Sequence, residues 1–229
     1  MPMFETKLTG IEEAKKLLSP ELFRRALKKT VFNVSHDARK DCVDEMKKLF
    51  DQPTPWILRG VTARVHDLEA DIGFEEFPIG KSPADVIRPH IKGGSRGLKR
   101  SEKHLRNTYW VPGQAVRLNK YGNIRGGLIT QILSSLGKFP EVGYMMNITA
   151  TSRRRNKKPR NFFIVGPGNK GLHAGVWERT SSGRVKPILM FIGSPSYRPR
   201  FSFFDIVRKA IGRNIQRRFD EAVREVGVR

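Results

Sequence analysis

Between Ser19 and Phe50 the chain runs through "SPELFRRALKKTVFNVSHDARKDCVDEMKKLF" without a glycine and without a proline beyond Pro20. Leu22, Phe23, Ala26, Leu27, Val31, Val34, Ala38, Cys42, Met46 and Leu49 recur mostly at three- and four-residue steps, so they line one face of a helix of about eight turns. Ser19 suits the N-cap, Pro20 the first helical position and Glu21 the first turn. An apolar stripe this long needs an equally long partner surface, which rules out a fold of short local elements. A shorter helix over Gly10 to Leu18, capped by Thr9, is expected to precede it.

The C-terminal third is orderly as well, and its last helix is expected to pack against the sheet or the long N-terminal helix. There "NFFIVG", "HAGVWERT" and "KPILMFIG" read as strands, with "TSSGR" as the turn between the last two. Ser202 then opens a helix, with Asp205 three residues on as a variant capping box. Phe204, Val207, Ile211, Ile215, Phe219, Ala222 and Val226 supply its stripe. After the Pro-Thr-Pro break at 53–55, "WILRGVTARV" and "HDLEADIGF" read as two further strands. The expected fold class is therefore α+β: a long N-terminal helix, a mixed or antiparallel sheet and a C-terminal helix. We expect one domain over 1–229, helical at 10–51, sheet at 56–77 and 161–193, and helical at 202–226. Residues 79–159, rich in Gly and basic residues, read as an irregular elaboration without a core of its own.

With 38% apolar residues, three Trp and fourteen Phe, 229 residues can fill a core. The balance of 44 Lys and Arg against 22 Asp and Glu, formally +22, favours polyanionic partners: nucleic acid, an anionic membrane surface or acidic protein faces. Cys42 is the sole cysteine in the sequence, which excludes an intramolecular disulfide and a multi-cysteine zinc site. No run of about 18 apolar residues and no secretory leader pattern occurs in it, so a soluble, unsecreted protein is expected.

Candidate chemistry is sparse. Asp67, Glu69 and Asp71 alternate with Leu68, Ala70 and Ile72 and would share a strand face, a conceivable cation site; but no nuclease motif accompanies them, and a solvated or subunit-contact face is the plainer reading. His36, His66, His90, His104 and His173 show no ligand spacing. "GGSRG" around Ser95 has the letters of a nucleophile elbow without its strand and helix context, since Pro89 and Lys92 interrupt the lead-in. We expect no enzymatic activity, no metal and no cofactor. The stronger signals are basic: Arg153, Arg154, Arg155, Lys157, Lys158 and Arg160, and a looser set with Arg96, Lys99 and Arg100. Such clusters suit phosphate contacts that are sensitive to salt and blind to sequence, or acidic faces of neighbouring proteins, or form solvated loops.

Four stretches taken in order carry a resemblance: "PTPWILRGVTARV" with "LEADIGF"; "DVIRPHIKGGSRGLKRSEKHLR"; "VPGQAVRLNKYGNIRGGLITQILSSL"; and "AGVWERTSSGRVKPILMFIGSPSYRPRFSFFDI". Together they resemble the minor tail, or tail-completion, proteins of tailed bacteriophages and prophages, related to the lambda minor tail protein Z. The resemblance implies a structural virion protein at the head-proximal end of the tail, present in the host cytoplasm during assembly. It implies a homo-oligomeric ring, sixfold in related head-to-tail components, around the DNA passage. The implied partners are the tail terminator, the tail tube and the head connector, with sequence-independent contact to genomic DNA and no membrane. It carries over no catalytic residues. Gly93, Gly94, Gly122 and Gly126 are implied as backbone turns, and Trp177, Pro187, Tyr197 and Phe201 as packing or interface anchors. The alternative reading is a general nucleic-acid-binding protein without sequence specificity.

Overall fold

The computed structural model describes residues 6–137 and 160–227. It is mixed α+β, with a long N-terminal helix, antiparallel sheets and a C-terminal helix. Where the sequence suggests one domain, the chain divides into two compact units: unit 1, residues 1–94 and 197–229, and unit 2, residues 95–196.

Unit 1 is organised by helix α2, Pro20–Leu49, after a short α1, Ile11–Leu17. The Ser19 hydroxyl accepts from the Leu22 N–H at 3.3 Å, the N-cap the sequence suggests. Thr9 does not cap α1; Gly10 stands at that position, and the Thr9 hydroxyl donates to Gln216 instead. The partner of α2 is the C-terminal helix α7, Phe203–Gly227. Asp41 meets Arg213, Asp37 meets Arg218 and Lys29 meets Glu225, so numbering rises on one helix as it falls on the other and the two run antiparallel. Ala26, Ala38, Ala210 and Ala222 are fully buried, small side chains that allow two long helices to approach closely. The buried face of α7 begins one residue earlier than its spacing suggests. Phe203, Val207, Ala210 and Asn214 point inward, while Phe204 is 42% exposed and Ile211 and Ile215 are half-buried. Asn214 is tolerated there because its amide donates to the Ala210 carbonyl at 2.9 Å.

Cys42, Met46, Val61, Ile87, Phe201, Phe203 and Val207 form the core at the far end of this helix pair. Two strands, β1 (Val61–His66) and β2 (Glu69–Phe74), make a hairpin against α2, held by Arg39 Nε donating to the Val61 carbonyl at 2.7 Å. The expected strand from Trp56 starts late. Thr54 caps and Pro55 opens a short helix, α3 (Pro55–Arg59), because its hydroxyl and the proline's fixed φ favour a helical turn. Ser82 and Asp85 form a reciprocal capping box that starts α4, Pro83–Lys92, inside the segment expected to be irregular.

Unit 2 has its own core, a correction to the reading of 79–159 as a coreless elaboration. Two-residue strands β3 (Gly94–Ser95) and β8 (Ser196–Tyr197) pair where the chain leaves unit 1 and returns. Then follow α5 (Arg100–His104), β4 (Tyr109–Pro112), α6 (Gly126–Ser135), β5 (Asn161–Val165), β6 (Gly175–Arg179) and β7 (Val185–Ile192). The strand order is β4-β7-β6-β5, antiparallel throughout. Leu105, Trp110, Ile132 and Leu133 from the middle segment are buried with Phe162, Val176, Ile188 and Leu189 of the strands. Leu128, Ile129, Ile132, Leu133 and Leu136 follow helical spacing, so α6 covers this core with one face. A register shift lies between Val176 and Trp177 opposite Pro187, which has no N–H for the ladder.

Candidate functional site

Charge is distributed unevenly between the two units. Unit 1 has 25 Lys and Arg against 19 Asp and Glu, formally +6. Unit 2 has 19 against 3, formally +16, and contains no Asp at all. In unit 1 the charges answer one another. Arg218 grips Asp37 through two bonds of 2.8 Å and reaches Glu221 at 3.0 Å. The Arg218 bonds hold the Asp37 carboxyl below its ordinary value, against the opposing effect of burial. At the hairpin tip Asp67 accepts from Arg24 and Lys28, each at 2.6 Å. Asp67 adopts φ 57 in the turn, so it does not share a strand face with Glu69 and Asp71 as the sequence suggests. Among the described residues no group of three His, Cys, Asp or Glu is arranged to hold a metal ion.

Unit 1 has an open cleft of about 1090 Å³ between α2, the hairpin and α7. Lys28 and Lys29 on its wall are paired with Asp67 and Glu225, and Phe32, half exposed, stacks on His36 with ring centroids 4.1 Å apart. Arg25 and Arg224 line the cleft as well, and the Arg224 Nε donates to the Asp220 carbonyl at 3.3 Å.

In unit 2 both described carboxylates are committed inward. Glu102, fully buried, accepts from Arg96 at 2.6 and 2.7 Å, from the Lys99 N–H at 2.6 Å and from the Trp110 N–H at 3.4 Å. Burial alone would raise its pKa, but the Arg96 and Lys99 bonds outweigh it and hold the carboxyl below the ordinary range. Arg96, expected as a contact residue, is therefore a structural partner, with its side chain 14% exposed. The Lys99 ammonium lies 4.7 Å from the Trp110 ring centre, a cation–π contact, and Arg100 opens α5. Glu178 takes Arg160 in a bidentate pair, both bonds 2.5 Å, and the Arg160 guanidinium also lies 5.1 Å from the Phe162 ring centre. Glu141 and the run Arg153, Arg154, Arg155, Lys157 and Lys158 lie outside the described residues.

Arg160 is not isolated. With Arg117 and Arg125 it lines a cavity of about 260 Å³ whose other walls include Val116, Leu128 and Ile188. A tight turn between β4 and α6 creates this convergence. The Asn119 N–H donates to the Asn123 carbonyl at 2.8 Å, the Asn119 side chain accepts from the Tyr121 and Asn123 N–H groups, and Gly122 takes φ 70. Closing the chain at 119 and 123 places Arg117 and Arg125 two residues beyond each end of the closure. The turn is anchored to β7 by Gly113, whose N–H donates to the Ile188 carbonyl and which sits where a Cβ would lie 2.4 Å from the Pro187 oxygen.

The remaining expected positions are distributed differently. Trp177 is buried in unit 2, its indole N–H donating to the His173 carbonyl at 2.9 Å. Phe201 is buried in the core of unit 1, and Tyr197, half-buried, meets the His90 ring edge-on at 5.1 Å. Gly93, Gly94 and Gly122 have positive φ, whereas Gly126 is the first residue of α6 rather than a turn. Ser95 stands in a two-residue strand, with no helix directly after it. No described helix is long and apolar enough to cross a membrane. No family model, no curated protein and no solved structure matches this chain.

Proposed function

We propose that the chain is a non-enzymatic structural protein of a tailed phage or prophage particle, acting in tail completion and head–tail joining at the head-proximal end. In this reading unit 1 is the frame and unit 2 the part that faces a polyanion. The single observation that carries the division of labour is the charge asymmetry: +6 in a unit whose acids and bases pair, +16 in a unit with three acidic residues. Cations without nearby carboxylates repel one another, a cost that an external polyanion removes with release of its counterions. The assignment to a tail rests on the four ordered stretches of resemblance. A homo-oligomeric ring meeting the tail terminator, tail tube and head connector belongs to the same proposal, as does location in the virion.

A sequence-independent nucleic-acid-binding protein outside a virion is the second reading, favoured by the same asymmetry. Deleting the gene from its phage and imaging the lysate separates the two. Accumulation of filled heads and unjoined tails, restored by the gene in trans, supports tail completion. Normal particles with normal infectivity would remove it and leave the second reading.

A further inference from the structure

The arginine-lined cavity goes beyond general basicity, because it combines shape with directed donors. We propose that Arg117, Arg125 and Arg160 form a phosphate-binding pocket that takes a phosphodiester group of a nucleic-acid backbone without contacting bases. The proposal rests on reading unit 2 as the polyanion-facing part of the protein.

Each arginine is placed differently. Arg160 is fixed by Glu178 and Phe162, so it is a preorganised wall of the pocket rather than a swinging side chain. Arg117 and Arg125 are exposed and have no carboxylate partner among the described residues. Both guanidiniums keep a full set of planar donors for oxyanion recognition, the geometry that matches phosphate. With Glu178 answering one of the three charges, the pocket retains about two.

Arg125 is also the N-cap residue of the ten-residue helix α6, which has no side-chain cap and no acidic residue in its first turn. Its first N–H groups have no partner within the helix. At Gly126 and Gly127 nothing lies within 4 Å of where a Cβ would stand, so the backbone there is open to a ligand. The helix terminus adds donors and partial positive charge to a site already defined by the guanidiniums.

Size and surroundings select the ligand. About 260 Å³ falls below the range of about 300–1,000 Å³ usual for small-molecule and cofactor pockets. It suits a single oxyanionic group. Lys103, Lys120, Lys170, Arg184 and Lys186 add exposed charge elsewhere on the same unit. One carboxylate from a partner would answer the pocket and leave those cations unanswered, whereas a backbone with one phosphate per about 3.4 Å of strand answers both.

The test is duplex binding by the full chain, followed by fluorescence anisotropy with a 20-base-pair DNA of arbitrary sequence between 50 and 200 mM NaCl. Arg117→Gln with Arg125→Gln is compared with Lys47→Gln plus Lys48→Gln, which removes the same charge from unit 1. Losing the one phosphate that the pocket holds lowers the slope of log K against log salt by about 1, so affinity falls roughly three- to fourfold less steeply across that range. The control pair should change the slope by clearly less. Equal slopes for wild type and the pocket variant, or equal falls for the two variants, would overturn the proposal.

Inorganic phosphate is titrated in parallel, by NMR of the arginine side chains. Saturation that the pocket variant loses while its duplex binding stays unchanged would make this a free-oxyanion site, against the proposal. Unchanged duplex binding with failed head–tail joining would assign the pocket to a partner's carboxylate, again against it, while leaving the tail reading intact. Conversely, a normal lysate from the gene deletion would remove the tail reading without touching the duplex result.

Discussion

Units 1 and 2 solve the same problem of holding many charges in opposite ways. In unit 1 Arg213, Arg217 and Arg218 on α7 face Asp37 and Asp41 on α2, so cations contribute to holding two helices together. In unit 2 the acids that would do this are missing, and the two described are fixed to Arg96 and Arg160. A surface ion pair contributes about 0–1 kcal/mol, so a folded domain does not need such pairs to stand. Unit 2 stands on its apolar core and on the buried Glu102 cluster instead. Pairing charges internally fits a scaffold; leaving them unanswered fits a surface awaiting anions.

The largest expected effect concerns the core of unit 1. Phe201→Ala removes a side chain in contact with Phe50, Phe74 and Phe203 and should cost about 4 kcal/mol. Cys42 gives a reporter specific to unit 1. Burial pushes its thiol up to about 12 and makes it inert in the folded state. Maleimide labelling at pH 8 should therefore accelerate greatly in Phe201→Ala. Unchanged labelling would mean that the Phe201 cluster does not hold the Cys42 region closed.

Next comes Glu102→Gln, which removes the carboxylate charge that Arg96, 14% exposed, pairs with. A loss of about 3 kcal/mol is expected in unit 2. Trp110 and Trp177 are buried there, while Trp56 of unit 1 is 41% exposed, so the tryptophan emission shift on denaturation chiefly follows unit 2. A denaturant midpoint unchanged by this variant would contradict the view that the Glu102 cluster substitutes for surface ion pairs.

A smaller effect is expected from Asp37→Asn, about 1.5 kcal/mol at neutral pH and low salt. The sign with pH follows from the depressed carboxyl. The stabilisation is fully present above the ordinary Asp value near 3.9 and is lost as pH falls through the lower folded value. Wild type and variant should thus converge in stability as pH falls from about 3.9 through that lower folded value. A difference that stays constant across that fall would show that the loss is not electrostatic.

Smallest of all is the stability effect of changing Arg153, Arg154, Arg155, Lys157 and Lys158 to Gln, expected to stay within about 0.5 kcal/mol per residue. Thermal melts check it, and a large loss would mean that the run supports the fold.

Much of unit 1 was readable in the sequence because its long elements carry their own signals. The spacing from Leu22 to Leu49 and the cap at Ser19 are local, and so is the capping box at Ser82, which the glycine-rich surroundings obscured. Unit 2 was harder. Its middle segment gains a core only when Trp110 in β4 pairs opposite Phe191 in β7, a contact across some eighty residues that no local pattern announces. Arg160 stood out as the end of a dense basic run. Arg117 and Arg125 did not, being single arginines in "RLNKYGNIR", although an Asn-x-x-Gly-Asn turn flanked by them was a visible cue. The missing aspartates of residues 95–196 were visible as well, but only to a charge count taken by unit rather than over the whole chain.

The central claim, that unit 2 meets the polyanion and unit 1 does not, is tested most directly by lysine footprinting. The full chain is acetylated briefly with and without saturating duplex DNA, and each lysine is read by mass spectrometry. Lys103, Lys120, Lys170 and Lys186 of unit 2 should be protected by DNA, while Lys15, Lys47 and Lys48 of unit 1, each near a carboxylate of its own helix, should react as before. Protection spread evenly over both units, or concentrated on unit 1, would contradict the account.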